Sequence, residues 1–390
     1  MANKVKKYRF LSGFALALVL MFVFTQVDLS QDAKQSTKEN EQPVVQTDSP
    51  RELPEGYVKV SLPLEDPANL DGQIENYMLD TYPIISDNEL EAIIGTKEIS
   101  KKLINDTLGH VEFTLNFQVP AYYLDPEPTM LWELNIPEFT SRIYQVYNND
   151  TILITVWPNV VGAPGTKTYT GYYNIFRLRN WPSWKDPDSD PLEPATPPGP
   201  GNPLGLFAAH YDENSLRYFH GTNKNHLLKN EYRALSHGCV RNDNTNIDKM
   251  KKFIVKKMVT SQDISFWAKS KKSMMYNFTE EEKQKFPVRI IYKTYDLGRD
   301  SYGAYVVFFK DVYGYARGNR ISKFDEEELM TFSTVENIKA DYKAMHKPNH
   351  FQLSDDKLIP IIESLIANHK DYEKYYFNDL VNSTQSDPGK

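Results

Sequence analysis

The sequence predicts a mainly β central domain, preceded by an α+β accessory region and followed by a helical C-terminal segment. Two β-branched and aromatic runs, Arg142-Ile-Tyr-Gln-Val-Tyr147 and Thr151-Ile-Leu-Ile-Thr-Val-Trp157, flank the short turn Asn148-Asn149-Asp150, which is a hairpin signal. Further strand-like runs recur at 170–176, 204–211, 216–220, 287–292 and 304–309, and beyond about Asn319 the pattern turns helical.

Taken in order, the chain opens with Lys4, Lys6, Lys7 and Arg9, then the apolar run Phe10 to Phe24. A basic cluster followed by an apolar stretch is the order of an export leader. The run is short of the ~20 residues that span a bilayer, although Val27 extends it. Residues 1–27 are therefore read as a signal peptide or an uncleaved membrane anchor, which puts the remainder in the extracytoplasmic envelope. Residues 28–50 are polar and lack aromatics, and read as a disordered tether. About 340 residues follow, more than one typical domain.

The accessory region, 51–140, shows helix-like spacing at Leu90, Ile93, Ile94, Ile99 and Leu103, broken by Gly95, which predicts two short helices. Val111 to Val119 alternates strictly and predicts a half-buried strand. In the central domain, 141–318, Gly162 to Gly165 reads as a turn. The stretch Pro182 to Pro203 holds eight prolines, a density no helix or central strand accepts. Lying between two strand-like segments, it reads as a stiff loop that walls or covers a site, against the alternative of a disordered linker. After Asn242-Asp243-Asn244-Thr245, which supplies capping side chains, Ile247, Met250, Phe253, Ile254 and Met258 follow at helical spacing. Residues 319–390 read as the helical segment with a polar tail after Asn382.

The formal net charge is −7, and without the four basic leader residues the remainder is more acidic still. A phosphate backbone needs a basic face, so nucleic acid is not an expected partner.

Cys239 is the only cysteine and sits in Ser236-His237-Gly238-Cys239-Val240-Arg241, downstream of His220-Gly221. In an exported chain a lone thiol is either lost as a liability or kept for its reactivity, and this one is placed for chemistry. Attack needs a thiolate, and an ordinary thiol is mostly protonated at neutral pH. Two bases are available, His220 and His237; His220, on a neighbouring strand, is the better placed, because i and i+2 side chains rarely align. The Gly221 carbonyl can orient its other ring nitrogen. The turn amides of His237, Gly238 and Cys239 are candidate oxyanion donors. A position just before a helix is expected to lower the thiol pKa. The competing readings are a zinc hydrolase using His210, His220, His237 and Cys239, whose spacing fits no familiar zinc pattern, and a non-catalytic envelope scaffold.

Phe219-His220-Gly221-Thr222 followed by Ser236 to Arg241 resembles the signature of the YkuD-type L,D-transpeptidases, bacterial enzymes that cross-link peptidoglycan. The resemblance extends to Asn202-Pro203-Leu204-Gly205, to the Val161-Gly162 turn and to Asp311-Val-Tyr-Gly314, and departs at Thr168-Tyr169-Thr170-Gly171 and at Asn242. It implies a mainly β catalytic domain, a β-sandwich of mixed sheets, that needs no cofactor. It makes Cys239 the nucleophile, His220 the general base and the Gly221 carbonyl its orienting partner. His237 and Gly238 shape the turn, and Arg241, Ser236, Thr222 and Tyr218 are the substrate-binding candidates. Tyr211, Trp181 and Trp184 are available as aromatic walls. The partners implied are donor and acceptor peptidoglycan stem peptides and carbapenem-type β-lactam inhibitors. The reaction implied is a 3→3 cross-link through a cysteinyl thioester with release of D-Ala; hydrolysis by the same chemistry, or attachment of a wall protein, are the alternatives.

Overall fold

The computed structural model describes residues 56–105, 110–186, 189–215, 217–345 and 352–380. The leader, the tether, Leu216 and the tail after Asn382 lie outside the described residues. Among the described residues no helix is long and apolar enough to cross a membrane.

The first elements are β1 (Tyr57–Pro63), α1 (Leu70–Thr81), α2 (Asp87–Ile94), β2 (Glu98–Asn105) and β3 (His110–Pro120). The strands form an antiparallel sheet with β3 in the centre. Asn69 caps α1 through Gly72 N (3.1 Å) and Ser86 caps α2 through Glu89 N (3.3 Å). The predicted second helix beyond Gly95 is instead β2. Its apolar spacing fits a strand as well as a helix, and the long alternating β3 supplies the ladder that decides it. Ile74, Met78, Leu115 and Phe117 join the same core as the central sheets. Tyr82 packs edge-on against Phe253, ring centroids 4.9 Å apart, so this region braces the helix that follows Cys239.

The central strands are β4 (Thr129–Asn135), β5 (Thr140–Tyr147), β6 (Asp150–Pro158), β7 (Val161–Gly162), β8 (Gly171–Asn174), β9 (Arg177–Asn180), β10 (Phe207–His210), β11 (Tyr218–His220), β12 (Ala234–Ser236) and β13 (Val240–Arg241). After α3 (Asn244–Phe253) and α4 (Ser265–Lys269) come β14 (Met274–Asn277), α5 (Glu280–Gln284) and β15 (Pro287–Lys293). The β5–β6 hairpin turns at Asn148 (φ 51°) and Asn149 (φ 69°), the left-handed pair that a two-residue turn of this hand requires. β4 already pairs with β5 in front of it and with β15 in parallel, so the β-rich sheet begins before Ser141.

Two mixed sheets face each other. One contains β6, β5, β4, β15 and, at its edge, β18 (Met330–Thr331), with β8 also on β15; the other has the order β13-β11-β10-β9-β14. Between them the Trp132 ring of β4 stacks on Phe219 of β11 at 3.9 Å and on Phe286 at 5.9 Å, and all three side chains are fully buried. This is a sandwich whose aromatic core fixes the back face of the second sheet. The front face is left for other work.

The proline-rich segment between β9 and β10 is tied down in its described part. Trp184 and Thr196 exchange backbone hydrogen bonds of 3.0 and 2.6 Å, and the Asn202 amide donates to the carbonyls of Thr196 and Pro197. Downstream, β16 (Tyr295–Asp300), β17 (Gly303–Phe308) and β19 (Lys374–Tyr376) form an antiparallel sheet with α6 (Val335–Met345) and α7 (Asp355–Asn368). This layer has its own core around Val306, Phe308, Ile338, Leu358, Ile362 and Phe377. The helices beyond Asn319 are joined by β18 and β19, which are too short for alternation to reveal them.

Candidate active site

β11 and β13 run parallel, with Phe219 opposite Val240 and His220 opposite Arg241. Paired residues share a face and neighbours alternate. Phe219 and Val240 are fully buried toward the sandwich core, so His220 and Arg241 lie on the front face. Cys239 immediately precedes β13 and is half-buried, and the backbone amide of Tyr218, next to His220 but one, supports its sulfur.

The turn that presents the thiol is held from several sides. Ser236 is buried; its hydroxyl donates to Cys239 O at 2.5 Å and accepts from Gly238 N at 3.1 Å. Gly238 has φ +108°, and a Cβ there would lie 2.9 Å from Arg217 Nε and 3.1 Å from Lys167 O, so only glycine fits. The Gly238 carbonyl accepts from Thr168 Oγ1 at 2.8 Å, and that hydroxyl accepts in turn from Gly162 N at 2.9 Å. Behind it, the buried Tyr313 hydroxyl accepts from Thr168 N (3.0 Å) and donates to Gly162 O (2.9 Å). The strand pair β7–β12 and the bond from Thr166 Oγ1 to Ser236 O (2.9 Å) close the cradle.

His220 is buried, and its Nδ1 lies 2.5 Å from Gly221 O. With Nδ1–H donating there, the neutral ring keeps Nε2 as its acceptor. Gly221 itself is pressed against Asn244: a Cβ would meet Asn244 Oδ1 at 2.2 Å and Gly205 Cα at 3.2 Å. The Asn244 amide brackets the buried Thr222, donating to its carbonyl (2.6 Å) and accepting from its N–H (3.2 Å). Thr222 Oγ1 accepts from Lys224 N at 3.0 Å. His237 is exposed.

Burial sets the proton positions. It raises the Cys239 pKa to about 11, against the opposing influence of the Tyr218 amide, Arg217 and Arg241. The expected lowering by the following helix is therefore overturned, because α3 starts only at Asn244 and desolvation of the thiolate outweighs the distant dipole. Burial also lowers the His220 pKa to about 3, followed by repulsion from Arg241, while the Gly221 and Leu204 carbonyls pull it up. At neutral pH the resting pair is thiol and neutral imidazole.

His210 is likewise held down, to about 4, by burial and then by Arg177 and Arg179. Both histidines start from 6.5, so between that value and about 4 the unfolded chain binds protons that the folded protein refuses. Stability is accordingly full above pH 6.5 and lost as pH falls through this window. The melting temperature is expected to drop progressively from pH 7 to pH 4.5, and less steeply in a His210→Phe variant; a flat profile would contradict the assignment.

Around the thiol stand Arg241 and Arg217, the latter donating from Nε to Lys167 O (2.9 Å) with its guanidinium 4.1 Å from the Tyr169 ring centroid. Neither has an ion pair among the described residues. Tyr218 is half-buried with its ring 4.3 Å from His210 and 6.2 Å from His220. Tyr211 is turned into the core against Phe219, and Trp181 and Trp184 sit half-buried in the proline-rich segment. His210, His220, His237 and Cys239 do not converge: among the described residues no three His, Cys, Asp or Glu side chains are placed to hold a metal ion.

Thr168, Arg217, Asn244 and Tyr313 are the residues whose roles sequence reasoning missed, Tyr313 having entered only as part of the segment Asp311-Val-Tyr-Gly314. Thr168 was legible only as part of a departure from the family pattern, and Asn244 only as a capping side chain; the helix cap is Asp243, which accepts from Thr245 N.

Residues 134–262 match the family model of the YkuD L,D-transpeptidase catalytic domain. The chain is 30% identical over 135 residues to the probable L,D-transpeptidase YbiS of Escherichia coli, which is 32% of this chain and 41% of that protein. It thus spans about two fifths of the length of the curated relatives it matches. Among solved structures it is similar to an L,D-transpeptidase from Mycobacterium smegmatis (12% identity, 53% of this chain and 86% of that one, TM-score 0.27). A second is an L,D-transpeptidase from Mycobacterium tuberculosis (14% identity, 60% and 89%, TM-score 0.26).

Proposed function

Because the chain carries a YkuD-type L,D-transpeptidase catalytic domain at residues 134–262, we propose that the whole protein is a peptidoglycan L,D-transpeptidase that works through a thioester on Cys239. His220 Nε2 takes the thiol proton as sulfur attacks the carbonyl of the L-centre that precedes the terminal D-Ala of a stem tetrapeptide. The tetrahedral oxygen gains negative charge close to the cationic Arg217 and Arg241. Collapse breaks the amide bond, the imidazolium returns its proton to the departing amine, and D-Ala leaves. A side-chain amine of a second stem then attacks the thioester, giving up a proton to His220. The new amide is a 3→3 cross-link, and the thiolate recovers the proton.

What supports this reading is that Cys239 immediately precedes β13, whose Arg241 is paired with His220 of β11, and that His220 is buried and neutral with its Nδ1 held by Gly221 O. A neutral imidazole can accept the thiol proton, whereas an imidazolium cannot. His237 and Gly238 serve the turn, Ser236 locks it, and Thr222 holds the backbone beside Gly221. Tyr218 and Arg241 line the substrate side. Carbapenem-type β-lactams, as strained amides, acylate the same sulfur. The leader-like residues 1–27 suit work outside the cytoplasmic membrane, where peptidoglycan is.

The test is a product assay. Full-length protein incubated with purified tetrapeptide muropeptides is expected to yield 3→3 dimers and one D-Ala per cross-link by mass spectrometry. Tripeptide monomers with D-Ala and no dimers would make it an L,D-carboxypeptidase, and unchanged substrate would remove the enzymatic reading.

A further inference from the structure

The sheet that carries Cys239 continues well beyond the catalytic strands, and its front face is unusual in charge. From the registers, one row across it reads Arg241, His220, Ala208, Arg179 and Met275. The next row on the same face reads Tyr218, His210, Arg177 and Asn277. Strands lie ~4.8 Å apart, so Arg179 stands roughly 10 Å from His220 with only a methyl group between them. Ala208, itself fully buried, is the residue between the two in this row.

Neither arginine has a counter-ion. Arg179 Nη2 donates to Ser183 Oγ at 2.8 Å, and Arg177 Nε donates to Asn277 Oδ1 at 2.7 Å while its guanidinium lies 5.5 Å from the Phe176 ring centroid. Among the described residues no carboxylate pairs with either, although the chain has 52 acidic residues. The nearby acids are engaged: Glu213 with Lys283 at 3.4 Å, and Asp212 with the Asn214 amide at 2.9 Å and the Ser215 hydroxyl. His210, in the second row beside Arg177, keeps a buried Nε2 with no hydrogen-bond partner. Burial and the two guanidinium charges hold its ring neutral, so it adds no charge of its own. A cavity of about 470 Å³ opens beside Arg177 and His210; Lys283, Asp212 and Glu213 also line it, and Arg179 stands outside its lining. Two half-buried cations on one sheet face, both anchored by neutral groups and one of them at the cavity, can receive an anion, since an unpaired guanidinium gains most from a charge-assisted contact.

We propose that Arg179, together with Arg177, forms a specificity subsite that takes a free carboxylate of the peptide whose carbonyl meets Cys239, and so selects acidic stems over amidated ones. This rests on the peptide-stem reading above and deepens it. At ~3.3 Å per extended residue, the recognised carboxylate belongs two or three residues from the scissile bond. The arginines act in binding and touch no reacting atom.

The test uses the full chain, a synthetic acidic tetrapeptide stem and the same peptide with that carboxyl amidated, with affinities from titration calorimetry. Wild type is expected to bind the acid at least about ten-fold more tightly than the amide. Arg179→Gln should lose this preference with little change toward the amide, and Arg179→Lys should restore part of it. Equal binding of both peptides by wild type, undetectable binding of either, or an undiminished preference in a folded Arg179→Gln variant would overturn the subsite. Arg177→Gln, expected to narrow the preference, decides the matter if Arg179→Gln does not fold. D-Ala release by wild type is read in parallel: discrimination without release removes the catalytic reading and leaves the subsite, and release without discrimination does the reverse.

Discussion

Cys239→Ala is expected to lower D-Ala release from a tetrapeptide stem by at least about ten thousand-fold, the scale on which loss of a nucleophile acts in a concerted site. The loss must be chemical and not structural. The turn around Cys239 is built by Ser236 Oγ, the positive φ of Gly238 and the Thr168–Tyr313 network, none of which uses the sulfur. The variant should therefore melt within a few degrees of wild type and bind stem peptide with similar affinity. Activity retained in this variant would remove the mechanism, since the chain has no second thiol.

The second large effect is at His220. Replacement by glutamine is expected to cost about 10²–10⁴ in kcat, the usual contribution of a positioned general base. The more telling result is the pH profile. In wild type the thiol titrates near 11 and the imidazole near 3, so kcat/KM should be level from about pH 5 to pH 9. Without the imidazole, only the small thiolate fraction reacts, and the rate should climb about ten-fold per pH unit toward the thiol pKa. Alkylation by iodoacetamide should rise in the same way in both proteins. A wild-type profile with a midpoint between pH 6 and 8 would show that the resting pair is not the neutral one described.

Much of the architecture was legible because local chemistry and tertiary need coincide. Asn148 and Asn149 tolerate the left-handed backbone of their turn, β3 alternates because Leu115, Phe117 and Val119 share a face that enters the core, and the cap at Asp243 announces α3. Where several pairings suit the same residues, local pattern fails. Residues after Gly95 carry spacing that serves a helix or a strand, and the partner strand decides. The parallel register of β11 with β13, which brings His220 beside Arg241, arises from segments of three and two residues and has no periodic signature. At the site, the residue types needed for thiol chemistry stood out, as did their grouping. Their protonation did not, because burial by distant segments, and not the neighbouring helix, governs both pKa values. The supporting residues Arg217, Thr168 and Tyr313 act through contacts distant in sequence, up to 151 positions between Tyr313 and Gly162, so their roles in the turn have no local signal even where, as for Tyr313, the segment itself was noticed.

Where the peptidyl group goes is the most direct test of the thioester mechanism. Full-length protein mixed with a tetrapeptide stem or a carbapenem at neutral pH, quenched in acid and analysed intact and after digestion by mass spectrometry, is predicted to carry one acyl group, located on Cys239. Wild type should acquire it orders of magnitude faster than His220→Gln. An unmodified mass while D-Ala accumulates, or an acyl group on any other residue, would contradict it.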